Sequence, residues 1–332
     1  MNRLRPSLFA LAAVACITLF GCSNPKQSAT TAGAPKKRIA GIIFQEDQYF
    51  RLVLFGMRDA AKKNNVELLE GNSNNKPEKE AELVNTYASQ GVDAIILSPL
   101  SAKGSVAALK PAADKGITII AANTPIDGNF HKAYIESNAF NLGEQTGKKA
   151  RAYIEQKMGG KATIAILAFK SLIPEQSDAR TNGFKEQIKG MPGVTIVAEQ
   201  DAWLPEQAVK KAGDILTAHP EIDLIWSANE GGTIGSVMAV RNAGKAGKIA
   251  VFGTDSSEQL VGFLKAADGI LQAITSQKPV DVGRTAVAFA LKAMKGEPVE
   301  KHVAMTGICL SRDDPAGIAA FEKQLKEWMS NG

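Results

Sequence analysis

From position 38 onward the chain alternates short apolar runs with longer stretches whose apolar residues recur at helical spacing. Runs over 38–44, 66–70, 94–97 and 117–121 are mostly apolar, and amphipathic stretches at 48–64, 77–90 and 102–115 separate them. Such runs predict a parallel sheet buried on both faces, with the helices as crossovers. Pro77 suits the first turn of its helix, and Gly91 and Gly116 each stand where a left-handed residue closes one. After a helix over 140–157 the rhythm repeats, with strands at 163–168, 195–199, 224–227, 249–252 and 271–275. Helices at 175–189, 205–218, 231–242 and 258–267 lie between them. Two successive sets of βα units predict an α/β protein of two doubly wound parallel-sheet lobes.

The tail shapes the connectivity. A helix at 280–295 and an extended piece at 299–305 precede a last helix at 315–329. If the first two return to the first lobe, the chain crosses between lobes three times. The crossings fall at Ser137 and Asn138, at Ser276 and Gln277, and at Thr306 and Gly307, all small or polar. The expected lobes are therefore 38–137 with 277–306, and 138–276 with 307–332, joined by a three-segment hinge.

The first 37 positions belong to neither lobe. Arg3 and Arg5 precede an apolar run over 8–20, too short for a membrane-spanning helix of roughly 20 residues and suited to an export signal. Leu19-Phe20-Gly21-Cys22 reads as a lipobox, with Cys22 the acylated residue and 1–22 the signal. Positions 23–37 hold no apolar side chain larger than alanine or proline and cannot bury enough surface to order themselves, so they predict a flexible linker. The protein is expected outside the cytoplasm, in the periplasm or at the cell surface, held to the membrane by lipid at Cys22. Cys16 leaves with the signal and Cys309 is the one cysteine of the body, so no internal disulfide is expected.

Charge and motifs narrow the chemistry. The net charge of +5 is partly in the signal and linker, and the body shows no basic stripe, which argues against nucleic acid. HExxH, GxSxG, CxxC and GxGxxG are absent, and the three histidines are scattered at 131, 219 and 302. The segment from Gly143 to Lys149 has one residue too few for a phosphate loop and lysine where serine or threonine should stand. Glu46, Asp47, Glu230 and Asp255 fall at predicted strand ends. Paired acids could serve a glycosidase, but ionised carboxylates also accept hydroxyl hydrogen bonds, and no nucleophile, base and orienter converge. The expectation is a binding protein with no enzymatic activity, metal or cofactor.

Ligands of open parallel sheets bind beyond the carboxyl ends of the strands. After the first strand come Phe44, Gln45, Asp47, Tyr49 and Phe50; after the third, Ser98; after the fourth, Asn123. In the second half the strand ends supply Asp178 and Arg180, Trp203, Asn229, Asp255 and Gln277. Aromatic faces can stack on a sugar's C–H face while the polar groups satisfy its hydroxyls.

Several stretches carry a resemblance. They are Arg38-Ile-Ala-Gly-Ile-Ile followed by Tyr49-Phe50; Gly91-Val-Asp-Ala-Ile-Ile-Leu-Ser98-Pro99; Ala179-Arg180-Thr-Asn-Gly183-Phe184; Trp226-Ser-Ala-Asn229-Glu230; Val251-Phe-Gly253-Thr-Asp255; and Ala273-Ile-Thr-Ser-Gln277. From about 38 to 310 the chain is similar to the type I periplasmic sugar-binding proteins, the ribose- and galactose-binding family. The resemblance implies an extracytoplasmic, monomeric solute-binding protein that captures a sugar or polyol between two lobes and delivers it to an ABC transporter permease. The alternative is the same clamp as a sensing component for chemotaxis or quorum signalling. By this resemblance Tyr49 and Phe50 match the aromatic pair that packs on the sugar, and Arg180 the arginine that bonds its ring. Asn229, Asp255 and Gln277 match polar contacts, with Gln277 also at a hinge. The chain departs from the ribose-type pattern at Asn123-Thr124, where an Asp-Arg pair is usual, at Thr254, where an aromatic is usual, and in an acidic first loop. Those departures leave open a differently shaped sugar, a linear polyol or another small polar molecule.

Overall fold

The computed structural model describes residues 36–330. The first lobe is built from β1 (Arg38–Ile43), α1 (Gln48–Lys63), β2 (Glu67–Asn72), α2 (Pro77–Ser89), β3 (Ala94–Leu97), α3 (Val106–Asp114), β4 (Thr118–Ala122) and β5 (Ala133–Ser137). The second holds α4 (Ala139–Lys157), β6 (Lys161–Ala168), α5 (Pro174–Ile188), β7 (Gly193–Asp201), α6 (Pro205–Ala218), β8 (Leu224–Ser227), α7 (Glu230–Asn242), β9 (Ala250–Thr254), α8 (Glu258–Lys265) and β10 (Leu271–Ser276). The chain then returns to the first lobe for α9 (Pro279–Met294) and β11 (His302–Met305), and ends in the second with β12 (Ile308–Ser311) and α10 (Pro315–Ser330).

Two six-stranded sheets result, ordered β2-β1-β3-β4-β5-β11 and β7-β6-β8-β9-β10-β12. The same winding order in both lobes puts equivalent strand ends at equivalent places. Alternate residues feed opposite faces, because successive side chains of a strand point to opposite sides. Ile39 and Ile43 of β1 join one cluster with α1 and α9, while Ala40 and Ile42 join another with α2 and α3. In the second lobe Ile164 and Ile166 of β6 pack under α4 and α5, and Ala165 and Leu167 face α6 and α7. Gly91 and Gly116 follow α2 and α3 with φ of +73° and +89°, the left-handed region that their positions required.

Two strands depart from expectation. The piece predicted as one extended run near 299–305 is strand only over β11, and β12 follows it directly, antiparallel to β10, with Ile308 opposite Ser276. The two lobes are parallel-sheet lobes as expected, and this edge pair is antiparallel. The chain re-enters the second lobe at the carboxyl end of β10, and two residues cannot make the long crossover that a parallel partner demands. Strand β5 was not anticipated; its residues alternate buried and half-buried, a weaker signal than the fully buried β3 or β4. Cys22, the signal and most of the linker lie outside the described residues. Among the described residues no helix is long and apolar enough to cross a membrane.

The three crossings run close together. The Asn138 amide donates to the Met305 carbonyl (2.8 Å), and the Gly307 amide to Asn141 Oδ1 (3.0 Å). A Cβ on Gly307 would stand 3.0 Å from the Ser276 carbonyl oxygen, so the third crossing lies against the second.

Candidate functional site

The strand ends of both sheets face one cavity of about 460 Å³, within the range of small-molecule sites. Its first-lobe wall begins with the loop after β1. Asp47 caps α1, accepting the Phe50 amide on Oδ1 (2.9 Å), while its Oδ2 accepts from Gln45 Nε2 (2.5 Å). That cap fixes the entry angle of the aromatic group. The Phe44 and Phe50 rings meet at 4.5 Å, and Tyr49 meets Phe50 edge-on at 5.1 Å. The Tyr49 hydroxyl is buried beside Ser137, yet neither hydroxyl makes a hydrogen bond of good geometry among the described residues. Burial pushes the Tyr49 phenol well above its ordinary range, so its hydroxyl stays neutral.

Asn123 and Asp255 follow β4 and β9, the fourth strand in each lobe's order. Both adopt left-handed backbone, with φ of +67° and +69°. Asn and Asp tolerate that region best among non-glycine residues, and such strain gathers at binding sites. In each lobe the neighbouring strand holds the distorted residue: the Asn123 amide donates to Ile135 and the Asp255 amide to Thr275, both at 2.8 Å.

The second-lobe wall centres on Arg180 of α5, which is 5 % exposed. Its Nη1 donates to the Ala228 carbonyl (2.9 Å) and to both Asp255 oxygens (3.0 and 3.2 Å), and its guanidinium lies over the Phe169 ring at 5.1 Å. Its Nε is buried with no partner among the described residues. Asp255 also accepts from Gln277 Nε2 (2.7 Å) and from the Glu230 amide (3.0 Å). Three residues expected to contact ligand, Arg180, Asp255 and Gln277, are thus bonded to one another. Asn229 caps α7 through Gly232 (3.1 Å) and donates to the Trp203 carbonyl (2.8 Å), which seats the indole.

Phe44, Gln45, Asp47, Tyr49, Phe50, Asn123, Arg180, Trp203, Asn229, Asp255 and Gln277 all line this cavity. Ser98 and Asp178 do not. The Ser98 amide still pairs with the Ile42 carbonyl, so the sheet ladder continues past β3 and keeps the side chain in the core, fully buried. Asp178 precedes Arg180 by two residues on a helix, a rotation of about 200° that turns it away. It pairs with Lys170 (3.0 Å) at the surface. The lining also includes Gln48 and Glu230, which follow predicted strands, and Gln176 and Ser256, which were not expected there. Gln176 precedes Arg180 by one helical turn and shares its face, a spacing legible in the sequence. Gln48 Nε2 donates to the Ser256 carbonyl (3.1 Å), joining the first lobe to the second across the cleft.

Two of the cavity's acids, Asp47 and Glu230, are perturbed upward. Around Asp47 the displacement of water by surrounding protein is the main cause, and the Asp255 charge adds to it. Glu230 is raised chiefly by burial, then by the charges of Asp255 and Asp47. Among the described residues no three His, Cys, Asp or Glu side chains come close enough together to hold a metal ion.

Two α/β lobes facing one polar and aromatic cavity, with three strands of chain between them, define a solute-binding protein of the periplasmic type. The periplasmic binding protein domain family matches residues 42–298, and the chain belongs to it. It is 31 % identical over 269 residues to the ABC transporter periplasmic-binding protein YphF of Escherichia coli, across 79 % of this chain and 81 % of that one. It is 26 % identical over 287 residues to the xylitol-binding protein of Mycolicibacterium smegmatis, covering 86 % and 80 % of the two chains. Among solved structures, an ABC transporter periplasmic solute-binding protein of Actinobacillus succinogenes with bound D-allose superposes with a TM-score of 0.76 at 28 % identity, over 85 % of this chain and all of that one.

Proposed function

We propose that the protein captures a sugar or polyol between its lobes and hands it to the permease of an ABC transporter. The observation that carries this reading is the shared cavity: residues from Phe44 to Gln277, supplied by the strand ends of both sheets, line one space. Its aromatic rings and planar hydrogen-bonding groups suit the two kinds of surface on a sugar. Relatives similar to this chain bind such molecules, xylitol in one and D-allose in another.

The moving bodies are residues 38–137 with 277–306, and 138–276 with 307–332, turning about the three crossings. Ligand makes its full set of contacts only when both walls meet, so its differential affinity for the closed form drives closure. The aromatic group of α1 takes the apolar face of the ligand. Arg180 Nε, the Tyr49 hydroxyl, Asn123 and Gln277 meet its hydroxyls. Asp255 and Asn229 act first as positioning residues, because most of their bonding capacity is spent on Arg180, Gln277, Gly232 and Trp203.

A thermal-shift screen of monosaccharides and polyols tests the reading. A ligand at 100 times its dissociation constant adds about 2.7 kcal/mol of stability. Recovery of the ligand unchanged after incubation separates binding from turnover. A full panel that leaves the melting temperature where it was would remove sugars and polyols as the ligand class.

The family places the protein outside the cytoplasm, and the lipobox motif supports anchoring at Cys22. Cys22→Ser is expected to move the protein from the membrane fraction to the soluble one. Equal membrane recovery of variant and parent would contradict the anchor.

A further inference from the structure

The charge inside the cavity does not balance. Of the described residues that line it, Asp47, Glu230 and Asp255 are acidic and Arg180 is the one cation. Arg180 is already committed to Asp255, at 3.0 Å. That leaves Asp47 on the first lobe and Glu230 on the second as carboxylates with no cationic partner in the cavity, close enough for the charge of Asp47 to act on Glu230. Each stands at a helix start, Asp47 as the cap of α1 and Glu230 as the first residue of α7, and the helix dipoles offset part of their charge. Amide and hydroxyl donors to them come from Phe50, Gln45 and Ser257, all neutral. A wall of neutral donors would satisfy a neutral ligand without two such acids in the lining.

From this charge arrangement we infer that the ligand carries a protonated amine, so that the cavity selects an aminated sugar or polyol over its neutral counterpart. The inference rests on the sugar or polyol reading and narrows it. The aromatic wall fits the same guest, since the Tyr49 and Trp203 rings line the cavity and can receive a cation on their faces. The guest also needs hydroxyls, because Arg180 Nε and the Tyr49 hydroxyl are buried without partners among the described residues. A bare metal ion fits poorly, as no three acidic side chains of the described residues converge on one point. The arrangement acts on closure as well. When the lobes approach, Asp47 and Glu230 repel across the cleft; an ammonium between them turns that repulsion into attraction and so favours the closed form selectively.

Titration calorimetry with matched pairs decides it: glucosamine against glucose, galactosamine against galactose, and glucamine against sorbitol. In at least one pair the amine should bind about tenfold or more tightly, the scale of one charge-assisted hydrogen bond gained over a neutral one. Asp47→Asn keeps the helix cap, since asparagine caps as well as aspartate. It should bring the amine down toward the affinity that its neutral partner shows for the same variant. Glu230→Gln provides the same measurement on the other lobe should Asp47→Asn fold poorly. Neutral members that bind as well as the amines, or a preference that survives both substitutions, would overturn the inference and leave the clamp intact. Failure of every compound in both series would overturn the sugar or polyol reading, and this inference with it.

Discussion

Arg180→Ala is expected to abolish the ligand-induced thermal shift and also to destabilise the empty protein by about 3 kcal/mol, the lower end for one partner removed from a buried ion pair. Asp255 keeps only 18 % of its side-chain surface in water, and its remaining donors would be Gln277 and the Glu230 amide. The Ala228 carbonyl would lose its donor, and the Phe169 face its cation. Chemical denaturation measures the first effect and a ligand titration the second. The double variant Arg180→Ala with Asp255→Ala should recover part of the stability, because it removes the stranded charge, and should still fail to bind. Arg180→Lys restores a charge without the planar guanidinium, so it should fold better than the alanine variant and bind weakly. An alanine variant as stable as the parent, with an undiminished shift, would show that this guanidinium serves neither purpose.

The dual duty of Arg180 marks where the sequence stopped being legible. The winding was readable because strands such as Ala-Ile-Ile-Leu at β3 and Leu-Ile-Trp-Ser at β8 are buried throughout and separated by amphipathic helices. Strand ends then pointed to the cavity residues, because an open parallel sheet presents its loops on one side. Whether a polar residue reaches the ligand or holds a neighbour depends on distances of an ångström between segments far apart in sequence. Nothing local distinguishes Asn229 as the residue that seats Trp203. Ser98 misled because sheet pairing runs one residue longer than the apolar run, and Asp178 because proximity to Arg180 in sequence is separation around a helix. The antiparallel β12 was likewise invisible, since its direction follows from where the chain re-enters the lobe rather than from its four residues.

Gly143→Ala is expected to be the most damaging methyl that can be added near the site, costing about 3 kcal/mol and weakening ligand binding by roughly tenfold or more. A Cβ on Gly143 of α4 would stand 1.8 Å from the Arg180 carbonyl oxygen, and one on Gly183 of α5 would stand 2.1 Å from that of Phe140. The two helices touch backbone to backbone, each through the other's glycine. Ordinary carbon–oxygen contacts need about 3.3 Å, so α5 must retreat by roughly 1.5 Å to admit the methyl. Arg180 would be carried with it, away from Asp255 and the cavity. Phe184 would leave its stack on Trp226, now at 4.7 Å, and the Trp226 indole, bonded to Thr146 of α4 at 2.9 Å, makes fluorescence a direct readout. The first lobe repeats the device: Gly56 of α1 meets the Val280 carbonyl and Gly283 of α9 meets that of Val53, each with a Cβ distance of 2.1 Å. In both lobes the helix held this way carries cavity residues, Tyr49 and Phe50 on α1 and Arg180 on α5. Gly213→Ala is the control, because its Cβ would point into open space on α6 and should stabilise that helix by up to about 1 kcal/mol without touching affinity. If Gly143→Ala bound ligand as tightly as the Gly213 variant does, the placement of Arg180 would not depend on this helix contact.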